Sequence, residues 1–462
     1  MSSLMWDEEP PREAAIRRLR RGHRLARALE TWRPDAWTHL DEDVRGAVRR
    51  GRLRPGGWQG VLGREHPAGL RALLFRHPTE AELALALCDP DGRIREAALA
   101  QAADRPAVLP LVAVRAADWA APVRDRARAV LAAALPTADA AALAATAPVL
   151  LLIRGRLHGG AGAALLEEWL RGAPADRLTP LFLHRDRATR RLALRTAMDR
   201  RLIEPPELVR LATADPDPAV ADAAAGAAIA AGCQDGTLGL LLDARTGRIR
   251  AAGVTALHRA GRHAQAEPYL YDRSAMVRAC ARWVLRQDGA DPLARYRAAC
   301  ADPETVHGRA PLGLAECGQR SVDLPVLWAL TGHPRPLVRS SAVAGLRAFE
   351  VADHARLFPL LQDSAPGVVR EAARALAPWA DRLPENELLG LTGPDRPPHV
   401  RTRALRLLRD RGSFAYEETA RRLTEDPDPV VRQQARRMLG RRERLATSLD
   451  GPPAVPLPRS GG

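Results

Sequence analysis

The chain has 462 residues, 46% of them hydrophobic but only 4% aromatic, with a formal charge of +15 from 70 basic and 55 acidic residues. Ala, Leu and Val dominate the apolar content, and such small helix-compatible side chains predict an all-α fold with closely packed helices. Five scattered cysteines without a C-x-x-C pair exclude a disulfide-built secreted scaffold, the acidic start Met1-Ser-Ser-Leu-Met-Trp-Asp-Glu-Glu lacks the features of a leader, and Pro136, Asp139 and Pro148 break the most apolar stretch as a membrane span.

A cytoplasmic protein without a membrane segment is therefore expected. Every basic residue is Arg, and the one Asn is Asn386, a pattern of strong GC bias. The positive charge then has two readings: codon drift in a soluble protein, or attraction for nucleic acid or another anionic partner.

Residues 1–65 carry four of the nine tryptophans, Trp6, Trp32, Trp37 and Trp58, the basic run Arg17 to Arg24, and the fragment Asp41-Glu-Asp-Val-Arg45. An atypical N-terminal helical cap is expected here, because a repeat array must close off the end of its core. A docking surface rich in Trp and Arg is the sharper reading.

From residue 66 to 444 one phrase recurs: an Asp, a short turn, Val/Ile-Arg six residues on, then Ala three residues after the Arg. It is seen as Asp89…Arg95, Asp118…Arg124, Asp272…Arg278, Asp395…Arg401 and Asp426…Arg432. His184 and His333 replace the Asp before Arg190 and Arg339, Asp363 stands one place early before Val369-Arg370, and Ala221 replaces the Arg in one copy. Each period predicts two short helices joined by a turn in which Pro and Asp stop the first and cap the second. Helices of about ten residues are marginal alone in water, so stacking must supply their stability.

Tandem helix pairs with Asp and Val-Arg at this spacing resemble the HEAT-repeat family in its bacterial form. The resemblance implies an α-solenoid, a right-handed superhelix of about 12 helix pairs, in which each Arg meets an Asp of a neighbouring repeat. It thus implies a structural ladder of Asp89, Arg95, Asp118, Arg124, Asp272, Arg278, Arg339, Arg370, Asp395, Arg401, Asp426 and Arg432. Where His184, His333 or Ala221 stands instead, the ladder is expected to weaken. The family resemblance specifies the fold and leaves activity open.

Two stretches interrupt the period. Around 137–183 the loop His158-Gly-Gly-Ala-Gly162 follows a helical pattern and has no Lys-Ser/Thr after it, so it reads as a repeat joint and not as a phosphate loop. The Pro-rich end from 445 to 462 is expected to be a disordered tail. No catalytic, metal or cofactor motif is legible, and His258 and His263, five apart, do not share one helix face.

A second Arg follows the ladder Arg by four residues at Arg128, Arg282, Arg374 and Arg436, with Arg195, Arg406 and Arg437 one place further round. Like charges at this spacing oppose helix formation by a few tenths of a kcal/mol, so they invite a function. In the resembled family the second helix lines the concave face, where these residues would form a binding stripe; an ordinary solvated face is the other reading. Together these features point to a non-catalytic, cofactor-free, monomeric scaffold holding a protein partner. The alternative is nucleic-acid binding, in the extreme resembling alkylpurine DNA glycosylases, for which Asp118-Trp119 is the nearest local match.

Overall fold

A computed structural model describes residues 11–50, 78–232 and 235–449. Trp6, Trp58 and the tail beyond Leu449 lie outside them. The described residues are helical throughout, without a strand, and no described helix is long and apolar enough to cross a membrane. The last helix, Pro429–Leu449, runs into the stretch read from sequence as tail.

The chain divides into two units, residues 1–237 and 238–462. After the N-terminal helices, five helix pairs complete the first unit, from Glu80–Leu87 with Gly92–Ala100 to Pro205–Ala214 with Pro218–Ala230. Seven pairs follow, the second unit beginning inside the helix Asp235–Leu242. The pair that lost its Arg to Ala221 is the last of the first unit.

Within each unit, second helices stack on second helices: Gly92–Ala100 on Ala121–Ala134 in the first, and Ala310–Cys317, Pro336–Ala348, Pro366–Leu376, Pro398–Arg411 and Pro429–Leu449 in succession in the second. The recurring apolar pair explains this. Val123, Val277, Val338 and Val400 before the ladder position, and Ala127, Ala281, Ala342 and Ala404 four residues on, are all buried. Positions i and i+4 share a helix face, and Ala there lets the backbones approach. Pro at the first helical position begins the helices of Val220, Val338, Val369, Val400 and Val431.

The turns are held by a repeated polar staple. Asp118, Asp215, Asp272, Asp363 and Asp426 each accept the backbone N–H two residues on, at 2.7–3.0 Å. The same carboxylates receive the Arg of the preceding repeat. Arg95 donates to Asp118 at 2.9 and 3.0 Å, Arg250 to Asp272 at 2.7 and 2.8 Å, and Arg339 to Asp363 at 2.8 Å twice. Arg190 reaches Asp215, and Arg401 reaches Asp426 at 2.5 Å. The guanidinium also donates backward to its own turn, as Arg95 does to the carbonyls of Asp89 and Pro90 at 2.7 and 2.8 Å. One planar side chain thus ties two successive turns, a task suited to the fixed donor fork of Arg.

Several rungs differ from the expected ladder. Arg278 meets Glu316 and not an Asp, because Pro303 stands where the next turn would offer a carboxylate. Arg124 donates to the carbonyl of Asp118 at 3.1 Å and lies 3.8 Å from the exposed Asp125. Arg432, in the last repeat, donates to the carbonyls of Asp426 and Pro427.

Arg370 leaves the ladder altogether. Asp363 lies seven residues before it, so Val369 takes the buried ladder position and Arg370, about 100° further round the helix, emerges at the surface. Asp395, which Arg370 would have met, pairs with Arg396 at 3.2 Å instead.

His184 and His333 keep half of the staple. Their Nδ1 atoms accept the N–H of Asp186 and Arg335, each at 3.0 Å, as the Asp oxygen does elsewhere. Their Nε2 atoms lie 2.9 and 2.7 Å from the carbonyls of Ala144 and Pro303, replacing a received guanidinium with a bond to backbone. With Nδ1 accepting, Nε2 is the protonated nitrogen.

The N-terminal helices do more than close one end. Helix Pro34–Arg49 packs on Leu109–Arg115 and Ala140–Leu152, and Trp37, fully buried, donates its indole N–H to Thr31 at 3.1 Å. Trp32 stays half exposed beneath Arg185, 5.6 Å from the ring. The glycine-rich loop is a joint: Gly162, in the first turn of the helix Gly160–Gly172, sits where an added Cβ would meet Leu150 at 3.0 Å and Ala116 at 3.2 Å.

Candidate functional site

The seven arginines of the expected stripe separate into two groups. Arg128 is tied down, donating to the carbonyls of Ala116 and His158 at 3.2 and 2.9 Å. Arg282 is buried and donates to Glu316 at 2.7 Å, beside Tyr296. Burial pushes the Tyr296 hydroxyl up to about 12 despite Arg282, and its O–H donates to the carbonyl of Leu270 at 2.6 Å. Neither Arg128 nor Arg282 points outward as the stripe required, because nearby acceptors capture them. Arg195 is exposed in the first unit; Arg374, Arg406, Arg436 and Arg437 are exposed in the second.

Around Arg374 and Arg406 the second unit assembles a cluster the repeat phrase does not contain. Glu371, with its side chain 9% exposed, lies 2.8 Å from Arg374, 3.2 Å from Arg370 and 3.9 Å from Arg347. Those three arginines remain 45–58% exposed. From the next second helix come Arg403 and Arg406. Burial lowers the pKa of Arg403, and Arg406, Arg374 and Arg370 lower it further, with Glu371 opposing them. Guanidiniums stay charged regardless, so Arg403 is a partly buried cation among like charges, with Glu371 as its counter-ion.

The cluster is the focus of a wider charge segregation. The second helices Pro336–Ala348, Pro366–Leu376 and Pro398–Arg411 hold nine arginines against Glu371 and Asp410; of the nine, Arg339 and Arg401 are ladder residues paired with Asp363 and Asp426, and Arg411 reaches Glu385. The first helices of the same pairs hold Arg320 and Arg356 against Asp323, Glu385 and Glu387. None of the three second helices contains Phe, Tyr or Trp. Arg347, Arg403 and Glu371 have no place in the recurring phrase, which is why the sequence did not single them out; the early Asp363 was the available signal for Arg370.

Asp118 cannot serve as a groove carboxylate. Its fully buried side chain is held by Arg95, by Arg115 at 2.8 Å and by Arg45 at 3.5 Å, with Asp41 on the far side of Arg115. Burial alone would raise its carboxyl pKa, but Arg95, Arg115 and the N–H of Ala120 outweigh it and hold the group below the usual range. Trp119 is exposed beside it, with Arg95 5.8 Å from the ring centre.

His258 and His263 meet without sharing a helix face. Gly261, at φ +66°, ends the helix and folds His263 back, so that Nδ1 of His258 and Nε2 of His263 lie 2.9 Å apart. Trp283 sits edge-on to His258, and Asp288 lies 3.7 Å from His263. Among the described residues no group of three or more His, Cys, Asp or Glu is placed to hold a metal ion.

No family model and no curated protein matches the chain. Similar solved structures include YibA of E. coli, 16% identical, covering 58% of this chain and 93% of that one with a TM-score of 0.21. A TOG-domain microtubule polymerase structure that concerns tubulin recruitment is 11% identical, covering 91% and 99%, with a TM-score of 0.23. Kap121p bound to Pho4p is 12% identical, covering 92% of this chain and 44% of that one, with a TM-score of 0.23. Scores this low add no argument; the α-solenoid rests on the helix pairs themselves.

Proposed function

We propose that this protein is a cytoplasmic, non-catalytic scaffold that holds a protein partner on the second-helix face of its second unit. The observation that carries the reading is the charge segregation: ladder arginines are consumed by neighbouring turns, whereas the second-helix arginines around Glu371 exceed the carboxylates available to them. The helix-pair repeat serves this role by presenting side chains on a rigid array whose stability comes from stacking between neighbours.

Nucleic-acid binding is the second reading, favoured by the same excess of arginine. Asp118, enclosed by three guanidiniums, lends no support to a glycosylase form of it. Purification of the full chain from its native host, with and without nuclease treatment, separates the two. The scaffold reading expects a stoichiometric protein that stays bound after nuclease. Co-purifying material that is nucleic acid, with every associated protein released by nuclease, overturns it.

A further inference from the structure

Helices packed side by side place their axes about 8–10 Å apart, and residues four apart on one helix lie about 6 Å apart. Arg370 and Arg374 form such an i, i+4 pair, and Arg347 and Arg403/Arg406 flank them from the second helices packed on either side. An extended peptide repeats its side chains on one face at about 7 Å, between those two spacings. Glu371 shows which anion the place already accepts: its Oε1 receives Arg374 and Arg370 from the same helix.

Two further observations select among polyanions. Guanidinium–carboxylate pairing is the contact this chain uses at the Asp rungs and again at Glu316, so the chemistry of the face matches that of its interior. The three second helices of the cluster also contain no Phe, Tyr or Trp, so single-stranded nucleic acid would find phosphate partners there but none of the large aromatic side chains on which bases stack. Arg403 and Arg406 have no carboxylate within ion-pair distance among the described residues.

We propose that the face around Glu371, with Arg347, Arg370, Arg374, Arg403 and Arg406, docks an extended acidic segment of the protein partner through its carboxylates. The proposal rests on the scaffold reading and names the chemistry of its partner. Discrete carboxylates on alternate residues pair with successive arginines, competing with Glu371 for Arg370 and Arg374.

The test is fluorescence anisotropy of the full chain with a labelled peptide of roughly ten residues bearing Glu at alternate positions, titrated alongside a DNA duplex of matched charge at about 50 and about 200 mM salt. Saturable peptide binding is expected, weakened at least tenfold in Arg374→Glu/Arg406→Glu and unchanged in Arg421→Glu, which lies on a first helix. Circular dichroism of the double variant checks that its helices persist, and Arg374→Gln/Arg406→Gln provides a milder pair should charge reversal unfold it. Absence of peptide binding, equal binding by the substituted proteins, or tighter binding of the duplex lost on the same substitutions overturns the proposal. If the native partner still co-purifies with Arg374→Glu/Arg406→Glu, this site falls while the scaffold reading stands.

Discussion

Arginine is gathered in both units, with opposite outcomes. In the first, Arg45, Arg95 and Arg115 close around Asp118 and Asp41, and Arg95 and Arg115 are almost completely enclosed. In the second, Arg347, Arg370 and Arg374 lie around Glu371 and stay about half exposed, with the partly buried Arg403 and the exposed Arg406 on the next second helix. The difference lies in the number of carboxylates and in what covers them: Asp118 with Asp41 of the packed N-terminal helix makes a structural knot, whereas one buried Glu leaves the arginines around it open to solvent. Residue type alone therefore does not decide role in an arginine-rich chain.

The comparison is broken most severely at Asp118. Replacing it with Asn leaves buried guanidiniums uncompensated, and loss of one partner of a buried ion pair costs about 3–5 kcal/mol. Urea unfolding of Asp118→Asn should show that loss, and a change below about 1 kcal/mol would mean solvent reaches the knot.

Acid should weaken the ladder in a defined window. Burial opposes the charged forms of Asp118, Asp272 and Asp363, but their Arg and N–H partners prevail and hold all three below the ordinary carboxylate range. Groups whose folded pKa is depressed contribute stability above the unfolded value, about 3.9 for Asp, and lose it as pH falls through the folded value. Melting temperature should thus hold from pH 7 to about 5 and fall steeply below about 4. A protein most stable near pH 3 would contradict the depressed carboxylates.

His333 offers a smaller perturbation. Ala at this position removes both the bond from the Arg335 N–H and the bond to Pro303, a loss of about 1–3 kcal/mol where buried groups are left unpaired. Asn can accept the one and donate to the other, so His333→Asn should retain most of the stability of the native chain. Equal loss in both variants would show that ring packing, not the two bonds, matters.

Glu371→Gln sharpens the second half of the comparison. Partly solvated ion pairs contribute about 0–1 kcal/mol, so stability should change little while the acidic peptide binds more tightly. Weaker binding would show that Glu371 is needed to position the guanidiniums.

Much of this architecture is legible in sequence because it is local and periodic. Val277 and Ala281 are buried because each repeat puts them on the same helix face, and Arg95 reaches Asp118 because one repeat separates them. The candidate site is less legible because it depends on departures from the period. A one-residue shift at Asp363 turns Arg370 outward; a carboxylate 38 residues away captures Arg278; carbonyls of the chain itself capture Arg128. His258 and His263 meet without sharing a helix face because Gly261 ends the helix between them.

The unfolding free energy of Arg374→Gln/Arg406→Gln, measured in urea beside the native chain, tests most directly whether these arginines are spare. A difference within about 1 kcal/mol is predicted for solvent-exposed charges. A loss of about 3 kcal/mol or more, comparable to removing a buried ion-pair partner, would make the cluster part of the fold and contradict its assignment as a docking face.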